Sequence, residues 1–197
     1  MAISKDRKSS KSLNSKRLSR DDWLEKSLEV LVAEGPSHLR IEDIAAALGV
    51  TKGSFYHHFS DRSEFVNQIV RYWDEKYTRE ISKDVDLNWG DARDQLWQLM
   101  KIVIDTGASQ YDVAIRAWAA REKGLLPFVE KAMQYRLDFV RSLFSKAGFR
   151  GVELDVRTRS FVLTMSGEQV IPEEFEGRKR TRFLKSLHSF LTSSAGS

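Results

Sequence analysis

The chain has 197 residues, of which 41% are hydrophobic, and it includes five tryptophans and eleven phenylalanines, enough for a packed core in one or two domains. It contains no cysteine, which excludes disulfides and thiolate chemistry and fits a reducing, cytoplasmic environment. No apolar run approaches the roughly 18 residues of a membrane-spanning helix, and the polar N-terminus does not have the apolar centre of a secretory signal.

The net charge of +4 is distributed unevenly. Residues 1–20 contain seven lysines and arginines and one aspartate, a net of +6, so the other 177 residues carry −2. The beginning of the chain is also rich in serine and has no hydrophobic periodicity, which predicts a disordered basic arm over residues 1–17. Such an arm is either a solvated leader or, beside a DNA-reading module, a set of phosphate contacts.

Apolar residues recur at helical spacing from Leu18 onward, and no segment alternates with the period of a strand. The sequence therefore predicts an all-α fold of about nine helices, with apolar stripes at 23–32, 41–48, 51–59, 61–84, 96–104, 113–118, 128–144, 154–169 and 175–191. Asp61 and Glu64 have the spacing of a capping box at the start of the fourth helix.

Two short helices joined through Leu48-Gly49-Val50-Thr51 predict a helix-turn-helix at about residues 40–59. Gly49 permits the left-handed backbone that turns one helix into the next. On the second helix, Phe55 and Phe59 share a face that points to the core. The opposite face holds a cation, a bare backbone, a phenol and an imidazole and no carboxylate, which suits phosphates and base edges: Lys52, Gly53, Tyr56 and His57.

The run Ile44–Phe59 resembles the DNA-binding signature of the TetR family of repressors, and the resemblance covers about residues 18–73. It implies a homodimer with a three-helix DNA-binding head and a larger helical body that binds a small molecule, which releases the DNA. We accordingly expect the head to span residues 18–60 and the ligand-binding and dimerisation body to span residues 61–197.

The resemblance also implies roles for individual residues. The groove-facing positions are Lys52, Gly53, Tyr56 and His57, and the phosphate-facing positions are Thr51, Ser54 and His58. Arg62 stands where the family commonly has a lysine, and a helix N-terminus favours a phosphate there. Arg40 stands where the family often has a capping Thr or Ser, so the cap is weakened and a phosphate contact is added.

A small-molecule site is expected in the body. Ile115–Ala119 resembles a stretch in many TetR-like bodies. Either Arg116 and Trp118 line a ligand cavity, or Trp118 is a core residue and Arg116 forms a salt bridge with a carboxylate on a neighbouring helix. The pattern of the other candidate lining residues favours ordinary core over specific contacts, although a few of them would border any cavity: Trp97, Met100, Ile104, Phe128, Phe161 and Met165.

The two C-terminal helices are expected to form the dimer, because two helices at a chain end cover each other only partly and a second copy closes a four-helix core. The predicted interface residues are Leu154, Phe161, Met165, Phe183, Leu184, Leu187 and Leu191. The alternative is that these stripes pack on their own subunit.

The predicted function is that of a DNA-binding transcriptional regulator, most simply a repressor that an unidentified effector releases from its operator; activation stays open. No catalytic constellation is apparent, so an enzyme is not expected, and neither is a cofactor. A metal site is not expected either, because the adjacent His57 and His58 point about 100° apart. The rival functions are a helical interaction protein whose helix-turn-helix is only architectural, and a helical enzyme.

Overall fold

A computed structural model describes residues 18–88, 90–170 and 177–193, and the regular structure of this part is entirely helical. The all-α prediction is confirmed, and the predicted arm at 1–17 lies outside the described residues. The described ranges contain nine helices: α1 (Arg20–Glu34), α2 (Ile41–Ala47), α3 (Lys52–Phe55), α4, α5 (Ala92–Asp105), α6 (Ala108–Arg121), α7 (Leu126–Lys146), α8 (Gly151–Gly167) and α9 (Gly177–Thr192). Helix α4 is continuous through Arg62–Asp74, a π-helical turn at Glu75–Arg79, and Glu80–Asn88.

Four aromatic side chains join the short helix α3 to α1 and α4. Phe55 lies at the centre, with ring centroids 5.6 Å from Trp23, 5.1 Å from Phe59 and 5.1 Å from Phe65. All four side chains are buried. An isolated helix of one turn is unstable in water, so this aromatic cluster supplies the stability that α3 lacks.

The beginnings of α1 and α4 are tied together. Asp61 caps α4 by accepting a hydrogen bond from the Glu64 backbone at 2.8 Å, as the sequence predicts. The Glu64 carboxylate, however, accepts from the backbone and hydroxyl of Ser60 and from Arg20 on α1. These hydrogen bonds lower the pKa of Glu64 to about 2, with the Ser60 backbone as the largest contribution.

Two apolar clusters make up the core and meet along α4. The head cluster contains α1–α3 and the first half of α4, and it extends to Ile115 and Trp118 of α6. The body cluster contains Ile81 and Val85 of α4 together with side chains of α5, α7, α8 and α9. The predicted division after residue 60 therefore falls at the start of a helix whose first half packs with the head.

Candidate nucleic-acid interface

The turn between α2 and α3 has the hydrogen bonds of a Schellman motif. Gly49 has a φ of 70°, its N–H donates to Ala46 at 3.0 Å, and the N–H of Val50 donates to Ala45 at 2.9 Å. A side chain at Gly49 would meet no other atom within 4 Å, so the glycine is required by the left-handed backbone alone. This turn sets the angle at which α3 leaves α2.

Helix α3 is shorter than the sequence predicts, because α-helical geometry ends at Phe55 and residues 56–58 form a turn. The predicted division between its faces is nevertheless observed. Phe55 and Phe59 are buried, whereas the four predicted groove residues are all exposed, Tyr56 with 56% of its surface. The core contacts of Phe55 and Phe59 thus turn the predicted groove face outward.

The protein's own packing does not require a glycine at position 53. A Cβ there would meet only the Thr51 hydroxyl, at the ordinary contact distance of 3.6 Å, and the backbone is outside the left-handed region. Gly53 is exposed on the outer row of α3. Because Gly53 has no side chain, another molecule can approach the backbone of α3 closely at this position.

The outer face carries one carboxylate that comes from α2. Glu42 Oε1 lies 2.6 Å from Lys52 Nζ, and both side chains are more than half exposed. The hydrogen bond to Lys52 lowers the pKa of Glu42, and the same bond raises the pKa of Lys52. Both groups are therefore charged at neutral pH, and the Lys52 charge is partly compensated before any DNA arrives.

The remaining predicted phosphate contacts surround this face. Arg40 begins α2 without a side-chain cap, as predicted, and its Nε donates to Asp43 at 2.9 Å. Thr51 begins α3, and its side chain forms no capping hydrogen bond. Arg62 is exposed at the first position of α4, while Ser54 and His58 are half-buried. Arg40, Thr51 and Arg62 thus lie at the starts of α2, α3 and α4, and their contact with DNA stays a prediction.

Comparisons with known proteins extend from the head to the whole fold. Residues 24–69 match the profile of "Bacterial regulatory proteins, tetR family". The HTH-type transcriptional repressor DhaR of Mycobacterium sp. (strain GP1) is 34% identical over 67 residues, which are 34% of this chain and 34% of DhaR. PfmR, a TetR-family transcriptional regulator from Thermus thermophilus, has the same fold at a TM-score of 0.64, with 16% identity over 91% of this chain and 98% of PfmR. The family match therefore covers residues 24–69, which form most of the head and the first part of α4.

Another protein of similar fold has been solved with ligands. AibR in complex with isovaleryl coenzyme A and operator DNA has a TM-score of 0.60 and 17% identity over 88% of this chain and 97% of AibR. At such identities the likeness shows the fold. The match to DhaR spans about a third of that protein's length.

The body contains a small cavity of about 50 Å³ between α4, α5, α6, α7 and α8. Apolar side chains such as Leu99, Phe161 and Met165 form most of its wall, and Asp112 and Arg136 form a polar part. Phe161 and Met165 are among the predicted ligand residues, and their contact with a ligand stays a prediction.

The other predicted ligand residues do not line this cavity, and their contact with a ligand also stays a prediction. Trp97 packs against His188 of α9 with ring centroids 5.5 Å apart. Met100 and Ile104 lie in the body core. Trp118 is buried in the head cluster and donates to Glu122 at 3.1 Å, and Arg116 is exposed in a surface groove between α6, α7 and α8. The 3.6-residue period separates an apolar face from a polar one, but it does not say where opposing faces leave a gap.

Most of the predicted dimer residues are covered by their own subunit, and the interface itself stays a prediction. Leu154, Phe161, Met165 and Leu191 are buried within their own subunit, and Leu184 and Leu187 pack partly against the same core. Phe183 alone of the predicted set is exposed, at 48%. The apolar side chains that α8 and α9 leave exposed are Val152, Val156, Leu163, Phe183 and Phe190. We call these five residues the C-terminal face.

Sequence reasoning missed Glu42, Asp112 and Arg136. Each residue pairs with a residue of another helix: Glu42 pairs with Lys52, and Asp112 pairs with Arg136. No local spacing indicates such pairs. The weak signal for Asp112 is its place between apolar positions of α6, where an unpaired carboxylate is costly.

Proposed function

We propose that this chain is a DNA-binding repressor that recognises an operator through the outer face of α3 and is released by a small molecule bound in the body. The observation that carries the proposal is that Lys52 and Gly53 of α3 and Tyr56 and His57 of the following turn are exposed, whereas Phe55 and Phe59 on the opposite side are buried. These residues offer donors, acceptors and an open backbone to phosphates and base edges. The name of DhaR as a repressor supports the direction of control.

The first experiment is a gel-shift assay with genomic fragments and an excess of non-specific competitor DNA. The wild type is expected to retain one or a few fragments specifically. Gly53→Ala should weaken that binding about tenfold or more without lowering the melting temperature, because a Cβ fits within the protein but occupies the approach to the groove.

Tyr56→Ala provides an independent variant on the same face. Tyr56 is 56% exposed, so its truncation should weaken specific binding with little effect on stability. The control is Tyr135→Ala on α7 of the body, which should leave the affinity for DNA unchanged. Unaltered DNA binding by both Gly53→Ala and Tyr56→Ala would remove α3 from the interface.

We further propose that two copies associate through the C-terminal face, so that two heads read the two halves of a palindromic site. Val152, Val156 and Leu163 follow one another at helical spacing along α8, and Phe183 and Phe190 are one heptad apart on α9. Exposed apolar rows on two helices of one subunit suit a four-helix arrangement with a second subunit.

Leu163→Asp tests this interface. The variant should sediment as a monomer and bind DNA poorly, because it brings a charge into an apolar seam. Leu87→Asp on α4 is the matched control, since Leu87 is 70% exposed and Leu163 is 72% exposed. A dimeric Leu163→Asp with wild-type folding would place the interface elsewhere.

The supporting case for a ligand in the body is the cavity itself and the isovaleryl coenzyme A bound by AibR. We therefore assign residues 18–60 to the DNA-binding head and residues 61–197 to ligand binding and dimerisation. Within the described residues, no helix is long and apolar enough to cross a membrane. We place the protein in the cytoplasm because its proposed target, operator DNA, is there.

A further inference from the structure

The wall of the cavity in the body contains an ion pair whose hydrogen bonds connect three helices. Asp112 of α6 is 3% exposed and accepts a hydrogen bond from Trp73 Nε1 of α4 at 3.0 Å. It also pairs with Arg136 of α7. Arg136 Nε in turn donates to Thr78 Oγ1 in the π-helical turn of α4, at 2.8 Å. We call these four residues the polar cluster.

From this arrangement we infer that the effector is an uncharged, mainly apolar molecule with a hydrogen-bond acceptor such as a ketone, and that it signals to the head through Trp73. The inference rests on the proposed function, which supplies the effector and the response of DNA binding. It specifies the effector's chemistry and the residues that transmit its presence.

The charges in the cavity favour a neutral ligand. Asp112 and Arg136 compensate each other in a cavity whose other walls are mostly apolar. A carboxylate ligand would leave a net charge of −1 there, and an ammonium ligand would leave +1. Either excess charge has to be desolvated without a partner of its own, which is costly.

The donors at the polar cluster favour an acceptor on that ligand. The guanidinium of Arg136 has five N–H groups, and its bonds to Asp112 and Thr78 engage two of them within the described part of the chain. Arg136 also lines the cavity. A carbonyl oxygen on an apolar ligand therefore gains a charge-assisted hydrogen bond while the ion pair stays neutral.

Trp73 connects this cluster to the DNA-binding head. It is 1% exposed and belongs to the head cluster, and the Arg136 guanidinium lies 5.1 Å from the centre of its ring. Both members of the ion pair therefore contact one side chain of α4, the helix that continues into the head. The π-helical turn at Glu75–Arg79 begins two residues later and interrupts the regular hydrogen bonding of α4.

These contacts give the ligand a route to the head. A ligand oxygen that draws Arg136 toward the cavity changes the position of the ion pair against Trp73. Because α4 is irregular at the next turn, its two halves are able to adjust their relative angle there. If the ligand binds one angle between the two halves of α4 more tightly than the other, and DNA prefers the other angle, ligand binding lowers the affinity for DNA.

Ligand chemistry is tested with three naphthalenes that share an apolar ring: 2-acetonaphthone, 2-naphthoate and 2-ethylnaphthalene. Their affinities for the full-length protein are measured by isothermal titration calorimetry without DNA. The ketone should bind at least tenfold more tightly than the hydrocarbon or the carboxylate. Equal affinity of ketone and hydrocarbon, preference for the carboxylate, or no binding of any of the three would overturn the inference.

Signal transmission is tested with Trp73→Phe, which removes the Nε1 donor and keeps an aromatic ring in the core. The ketone should bind this variant as it binds the wild type, but its effect on DNA affinity should fall at least threefold. Full retention of that effect would exclude Trp73 as the connection. Trp97→Phe, a tryptophan outside the cavity, is the control. If the protein bound no operator even without a ligand, the proposed function would be contradicted instead. Calorimetry distinguishes this result from a failure of the ligand inference, because it measures ligand binding without DNA.

Discussion

The ion pair between Glu42 and Lys52 should limit the electrostatic attraction of the head to DNA. At 2.6 Å, Glu42 compensates a lysine on the face that we propose meets the DNA. Glu42→Gln keeps the size of the side chain and its hydrogen-bonding capacity but removes its charge. Lys52 is then free to neutralise one additional phosphate.

The expected magnitude follows from counterion release. One more neutralised phosphate steepens the slope of log affinity against log salt by about 0.9 for duplex DNA. Between 50 and 200 mM salt, the variant should therefore lose affinity by roughly 3.5-fold more than the wild type loses. At low salt it should bind more tightly, and non-specific DNA should gain at least as much as specific DNA.

The assay is fluorescence anisotropy with a specific and a scrambled duplex at several salt concentrations. Glu29→Gln is the matched control, because Glu29 is an exposed carboxylate of α1 that pairs with Lys26 and the substitution changes the net charge equally. In a Lys52→Met background, Glu42→Gln should have a much smaller effect. The reasoning is refuted by an unchanged slope, or by equal changes in the Glu42 and Glu29 variants.

Three further predictions concern the arm and the stability of the head. Deleting residues 1–17 removes six basic residues and should make the salt slope of DNA binding shallower; an identical slope would mean that the arm makes no phosphate contact. Phe55→Ala should lower the free energy of unfolding by about 3–5 kcal/mol in urea titrations, since Phe55 is fully buried, and a loss below about 1 kcal/mol would contradict its central place. Glu64→Gln should lower the melting temperature at pH 7, and because the folded-state pKa of Glu64 is about 2 against an ordinary 4.5, this difference should diminish as the pH falls from 4.5 toward 2. A difference that is independent of pH would show that the ionised carboxylate does not stabilise the head.

Much of the head was predictable because its determinants are local. The spacing of Phe55 and Phe59 separates a core face from an outer face, and Gly49 marks the turn between α2 and α3. The cap of α4 by Asp61 was predicted from three-residue spacing and is confirmed at 2.8 Å. The reciprocal partner of Glu64 was less predictable, since its carboxylate accepts from Ser60 and from Arg20 at the start of another helix.

The body was less predictable because its decisive features lie between helices. The sequence by itself determined that the chain is helical, where its principal turns fall and which face of α3 is polar, since these depend on residues within a few positions of one another. Only the tertiary structure decided which apolar positions are core and which are exposed. Leu154 and Val152 are two residues apart on α8, yet one is 6% exposed and the other 79%. The tertiary structure also decided the partners of the charged side chains. Glu42 contacts Lys52, and Asp112 contacts Arg136 and Trp73, because packing brings separate helices together. No local periodicity specifies which side chains face one another across such a contact.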